Sequence, residues 1–211
     1  MNKTSVLPEP REVPTPPPAP PMPTPPIPPK QPGDYLRENG VLHMDKEFNQ
    51  ENCMPLVKMI IEYNLMPATK APEVIHLYIN SNGGLVDSCM HMIDVIKQSR
   101  IPVYTYGMGS IASCGVMLMM AGVKGHRHLT QNTAVMSHEF SGGMKGQYHD
   151  MVESRKHMDW TNAKLMEHYI KCTGKKEPYI RKWLLAPKTD HWLTPEEAVK
   201  HGIADEVVET Y

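Results

Sequence analysis

The chain has 211 residues, enough for one domain with a sizeable buried core, and its 22 Lys and Arg against 23 Asp and Glu leave a net charge of −1. So even a balance gives no electrostatic case for binding nucleic acid or an anionic membrane surface. Four cysteines, Cys53, Cys89, Cys114 and Cys172, show no C-x-x-C spacing and read as reduced core thiols; with no signal-type leader and no membrane-length apolar run, the chain is expected in the cytoplasm.

Residues 1–33 hold 14 of the 21 prolines, in runs such as Pro16-Pro17-Pro18, without apolar periodicity. This stretch cannot build a core. It is expected to be a disordered, polyproline-II-rich tail ahead of a single domain over 34–211, a spacer or a P-x-x-P ligand. Val41 to Met44 reads as a short strand. Asn49 is placed to cap a helix over about 50–63, on which Met54, Leu56, Val57, Ile60 and Ile61 form one stripe.

The run Val74 to Ile79 is nearly continuous in apolar and aromatic residues, which predicts a strand covered on both faces. It ends in Asn80-Ser81-Asn82-Gly83-Gly84, and a helix follows with Leu85, Cys89, Met92, Ile93 and Ile96 on one face. The pattern then repeats. Ile101 to Tyr106 predicts a strand, interrupted at Gly107 and Gly109, and Val116 to Met120 predicts a helix apolar almost all round. Two strand-turn-helix units in succession argue for an α/β fold with a parallel sheet, whose loops collect at one edge. That places the Gly83-Gly84 turn near Ser113.

Ser113, between Ala112 and Gly115 at a strand-to-helix junction, is where a nucleophile would be held, with helix N–H groups beside it to receive an oxyanion; taken alone, this stretch reads more readily as an ordinary Ser N-cap. Short strands are expected over 126–129 and 133–137, the second delivering His138 at its end. His126 and His128 share a face but lack the further ligands of a metal site, so no metal and no cofactor is expected. A Gly-rich linker over 141–146 leads to a long helix over about 148–172, closed by Gly174. Met151, Met158, Leu165 and Cys172 recur on it at seven-residue spacing, so it projects toward a partner subunit or packs on its own core. A short helix is expected over about 179–185. Asp190 follows, then a helix opened by Thr194-Pro195-Glu196-Glu197 and stopped by Gly202, then a strand over 204–208.

Ser113, His138 and Asp190 together are the residue types of nucleophilic catalysis: the imidazole takes the hydroxyl proton and the carboxylate fixes the imidazole tautomer. Their order matches the α/β-hydrolases, whose G-x-S-x-G elbow is absent. The L-Y-I-N-S-x-G-G turn at Leu77 to Gly84, the G-x-x-A-S-x-G turn at Gly109 to Gly115, the strand ending in His138, the Gly-Gly linker with its long helix, and Asp190 before L-T-P-E-E-A-V-x-x-G occur in one order from about Val41 to Val208. In these the chain resembles the ClpP family, the proteolytic subunits of ATP-dependent Clp proteases.

The resemblance implies a ClpP/crotonase-like fold of strand-turn-helix units with a projecting handle helix. It implies Ser113 as nucleophile, His138 as general base then acid, Asp190 as orienter, and the N–H groups of Gly84 and Cys114 as oxyanion hole, with Gly83 and Gly84 as the peptide-binding turn. It further implies stacked heptameric rings enclosing the sites, unfolded polypeptide substrates and an AAA+ unfoldase partner. Four departures stand out: Asn82 where the turn usually has Pro, Thr189 where an Arg usually ties two rings together, a short insertion over 184–188, and no recognisable axial loops in the Pro-rich tail. They fit a divergent member of the kind phages encode, and they keep a non-catalytic ring or scaffold subunit as the alternative. A crotonase-like acyl-thioester enzyme is a third reading, disfavoured because it needs no Ser-His-Asp set.

Overall fold

The computed structural model describes residues 33–143 and 145–209; the Pro-rich stretch expected to be disordered lies outside them up to residue 32. Strand β3 (Val103–Ala112) runs through the middle of a seven-stranded sheet. On one side it pairs in parallel with β2 (Ile75–Ser81), which is parallel to β1 (Val41–Met44). On the other it pairs first with β4 (Arg127–Thr130), through Thr105 to Gly107, and then with β5 (Ala134–Ser137), through Ser110 to Ala112. Beyond β4 lies β7 (Glu206–Val208), and β6 (His191–Leu193) runs antiparallel along β5.

The predicted strand end at Tyr106 is therefore wrong, and the glycines explain why. Gly107 leaves room for Leu129, whose Cδ2 would lie 2.6 Å from a Cβ built there, and Gly109 at φ +67 bends the strand beside the Asn80 side chain. The chain continues past both and changes partner from β4 to β5, rather than stopping.

Three helices cover one face of this sheet: α1 (Asp34–Glu38) lies before β1, and the covering layer is α2 (Gln50–Leu65), α3 (Val86–Gln98) and α4 (Cys114–Met120). Asn49 caps α2 as expected, its Oδ1 accepting the Asn52 N–H at 2.9 Å. All seven residues of α4 are buried, in line with its all-round apolar sequence. The core between these layers includes Leu42, Ile75, Leu77, Val103 and Leu129 from the strands and Val57, Ile60, Met92 and Leu118 from the helices.

The expectation that β2 is covered on both faces is also overturned. Its residues alternate, with Ile75, Leu77 and Ile79 buried and His76 and Tyr78 only partly so. The parallel register sets His43, Tyr78, Tyr106 and His128 in one row across four strands, and their rings stack at centroid distances of 5.2, 4.8 and 5.0 Å. Tyr104 stacks on His126 beside them. Amphipathic rings thus occupy the second face where a helix layer would need aliphatic residues.

The rest of the chain is α5 (Tyr148–Thr173), α6 (Glu177–Trp183) and α7 (Pro195–His201). Gly174, at φ +71, ends α5, and a capping box between Thr194 and Glu197 starts α7. On α5 the buried residues are Thr161, Leu165, Met166, His168 and Tyr169, all in its second half. Its first half stands clear of the chain's own core. Among the described residues no helix is long and apolar enough to cross a membrane.

Candidate active site

Ser113 occupies the junction between β3 and α4 with φ 54 and ψ −117, an unusual conformation for a residue with a side chain. It holds the N-cap position of α4, yet its side chain makes no capping hydrogen bond. The hydroxyl is thus not consumed by the role that an ordinary N-cap reading assigns it. Two neighbours fix the turn: the Ser113 N–H donates to Met136 O at 3.0 Å, and the Val116 N–H donates to Ser113 O at 3.0 Å.

Met136 is the penultimate residue of β5, and His138 is the first residue after that strand. His138 and Ser113 line one small cleft of about 50 Å³, with Gly84, Met117, Leu165 and Tyr169 among its other walls. The antiparallel β5–β6 ladder pairs Val135 with Leu193, Met136 with Trp192 and Ser137 with His191, so the next positions outward are His138 and Asp190. Topology therefore brings the three sequence-predicted residues to one sheet edge. Asp190 is exposed, and among the described residues no hydrogen bond joins Ser113 to His138 or His138 to Asp190.

The Gly83-Gly84 turn lies against both the Ser113 junction and Phe48. A Cβ on Gly83 would stand 2.7 Å from Ser113 Cβ, and one on Gly84 would stand 2.5 Å from Phe48 O. Phe48 N–H donates to Gly83 O at 2.9 Å and Leu85 N–H to Phe48 O at 2.6 Å, leaving the Gly84 N–H without an acceptor among the described residues. The Cys114 N–H, at the first position of α4, likewise has no intrahelical acceptor. Two backbone donors of the type an oxyanion hole uses are thus left free, one on the cleft-lining Gly84 and one on the residue after Ser113.

Buried polar groups surround the site. The Cys114 thiol donates to Gly84 O at 3.3 Å, and Cys89, from α3, donates to Cys114 O at 3.4 Å. Hydrogen bonding from Cys89 holds the Cys114 thiol below its ordinary range, while burial pushes Cys89 well up. His168 Nε2 lies 2.8 Å from Met117 O behind the cleft, and burial lowers its pKa to about 4. Among the described residues no group of three or more His, Cys, Asp or Glu is placed to hold a metal ion. A larger depression, about 590 Å³ between α3 and α5, is lined by Lys97, Lys124 and Lys171 and holds none of the three site residues.

The Clp protease family model matches residues 35–211, which is nearly all of the described chain. The chain belongs to the Clp protease family. The family supports a ClpP-like peptidase in general terms and implies ring assembly and peptide substrates.

Several residues of this candidate site were not found by sequence reasoning. Phe48 was one of two phenylalanines and gave no motif, although its backbone brackets the glycine turn. Asn80 reads from the sequence as a turn residue only and Asn82 only as a departure from the family's Pro, but Asn80 Oδ1 accepts the Ser110 N–H at 3.1 Å and Asn82 Oδ1 accepts the Ser110 hydroxyl at 2.9 Å. Asn82 thus ties the turn to β3 where the family usually has Pro. Glu139 Oε1 accepts the Lys188 N–H at 2.9 Å, fastening the inserted segment beside His138.

Proposed function

We propose that the chain is a serine endopeptidase working through Ser113, His138 and Asp190, with residues 34–211 as the peptidase domain. The observation that carries this reading is the shared cleft of Ser113, His138 and Gly84, with His138 and Asp190 each one residue beyond the last pair of the β5–β6 ladder. In the reaction His138 takes the Ser113 hydroxyl proton as Ser113 Oγ attacks the scissile carbonyl, and Asp190 holds the imidazole in the tautomer that can accept it. The N–H groups of Gly84 and Cys114 receive the oxyanion, with Gly83 and Gly84 laid along the peptide. His138 then returns the proton to the leaving amine, and water repeats the sequence on the acyl-enzyme.

The substrates are unfolded polypeptides entering a chamber of stacked heptameric rings in the cytoplasm, fed by an ATP-dependent AAA+ unfoldase. The protruding first half of α5 and the half-buried aromatic and histidine face of the sheet support assembly, since the described chain buries neither completely. A second reading is a non-catalytic ring subunit. It is favoured by the missing hydrogen bonds among the triad residues and by Thr189.

Labelling of the assembled protein with a fluorophosphonate probe, with mass mapping and Ser113→Ala as control, separates the two. The peptidase reading expects an adduct at Ser113, lost in the variant; an assembled protein without an adduct sinks it.

A further inference from the structure

We propose that Tyr169 is a positioning residue for His138, acting through a buried hydroxyl pair with Ser137. The inference rests on the peptidase reading for its catalytic consequence. Ser137 is the last residue of β5 and is fully buried; its Oγ lies 2.9 Å from the Tyr169 hydroxyl, which comes from the core-facing half of α5. Among the described residues neither hydroxyl has another hydrogen-bond partner. Each therefore satisfies the other in a place where an unpaired hydroxyl is costly.

The position of this pair gives it leverage. The end of β5 is linked to the neighbourhood of all three proposed triad members: Met136 O accepts the Ser113 N–H, Ser137 pairs with His191, the residue after Asp190, and His138 follows directly. β5 has only four residues, and the described chain after it has no regular structure until α5 begins. His138 is thus held between Ser137 before it and the Glu139–Lys188 contact after it, and of these only Ser137 links it to α5. The Tyr169–Ser137 contact is the side-chain tie that anchors this end to α5.

Burial raises the Tyr169 pKa far above neutral, so the phenol stays protonated and the pair persists across the working range. Tyr169 also lines the cleft. Tyr169→Phe keeps the ring and removes only the hydroxyl that meets Ser137.

The test compares the full-length wild type with Tyr169→Phe, Ser137→Ala and the double variant, using a fluorophosphonate probe over a concentration series. In parallel, amide hydrogen exchange is followed over residues 134–141. Each single variant is expected to lower the limiting rate of Ser113 acylation by about tenfold, with half-saturating probe concentration within about twofold, because a slight misplacement of the base acts on rate and not on binding. The double variant is expected to be no worse than either single one, since both remove the same contact. Exchange over 134–141 is expected to speed up in all three.

Acylation at the full rate in both single variants, losses that add in the double, unchanged exchange, or a change in probe affinity alone would each overturn the proposal. The last outcome would make Tyr169 a wall of the cleft only. A wild type that never acylates at Ser113 defeats the peptidase reading instead. The exchange data then decide the tie by themselves, faster exchange in the variants supporting it and unchanged exchange refuting it.

Discussion

The backbone N–H of Ser113 donates to the carbonyl of Met136 at 3.0 Å, two residues before His138, so the nucleophile and base of the proposed triad hang on one backbone contact. On its other side Ser113 meets Gly83, where an added Cβ would stand 2.7 Å from Ser113 Cβ and 3.2 Å from Cys114 N. Gly83 is also at φ +105, which disfavours any side chain. Gly83→Ala must therefore displace the nucleophile junction or break the Phe48 contact. We expect acylation at Ser113 to fall by about 100-fold and stability by about 2 kcal/mol. Probe kinetics and a denaturant melt check both; a variant acylating at the wild-type rate would refute the close approach.

His168 should make stability fall in mildly acidic solution. Its pKa is lowered by burial to about 4, below the ordinary 6.5, so the folded state holds it neutral while the unfolded chain takes up a proton. The unfolded state then binds more protons between these values, and stability rises with pH there. The contribution is complete above about 6.5 and is lost as pH falls toward 4, amounting to about 3 kcal/mol. His168→Gln keeps a donor for Met117 O but removes the titration. Melting temperatures measured from pH 7 to 4 should decline more steeply in the wild type than in this variant; parallel declines would contradict the assignment.

The sequence made much of this site legible because its signals are local. Gly83-Gly84, the Ser113 junction and the Thr194 cap each lie within a few residues of the feature they specify. What was missed depends on contacts across strands. The stacked row of His43, Tyr78, Tyr106 and His128 exists only through the parallel register, and from one strand at a time its members read as part of a continuous apolar run. β6 is three residues long and is held by β5, so no intrinsic pattern could announce it, yet it is what sets Asp190 opposite His138. Gly107 and Gly109 misled for the opposite reason, since glycine marks close approach as well as strand termination.

Arg127 holds the far end of the sheet. It is 3% exposed and donates to Asp205 Oδ2 at 2.8 Å, to Asp205 Oδ1 at 2.5 Å, to Cys172 O at 3.2 Å and to Gly202 O at 3.1 Å, joining β4 to the ends of α5 and α7. Burial alone would raise the Asp205 pKa, but the hydrogen bonds and charge of Arg127 outweigh it and leave the carboxyl below its ordinary value. Its stabilisation is present above that ordinary value and disappears as pH drops through the lowered one. Arg127→Met leaves the Cys172 and Gly202 carbonyls without this donor and Asp205 with only the backbone N–H groups of residues 125 and 127, and we expect a loss of about 2–4 kcal/mol. Denaturant unfolding of the variant checks this, and a loss under about 1 kcal/mol would mean that water replaces the guanidinium.

The outer half of α5 carries apolar side chains that the chain leaves in solvent: Tyr148 is 80% exposed, Met151 38% and Trp160 58%. They lie among surface pairs such as Arg155 with Asp159 and Lys156 with Glu153, which contribute little to holding a helix in place. If a partner subunit covers this face, as the family's ring assembly leads us to propose, burying Trp160 is worth about 1.5–3 kcal/mol at that interface. Trp160→Glu should then weaken association by about 10- to 100-fold. Its effect on the subunit's own fold should be slight, because the residue is not part of the core. Native mass against concentration, with far-ultraviolet circular dichroism as the control for folding, reads both quantities. An unchanged dissociation curve would place the contact on another face, and a loss of helicity without dissociation would show that Trp160 packs on its own chain.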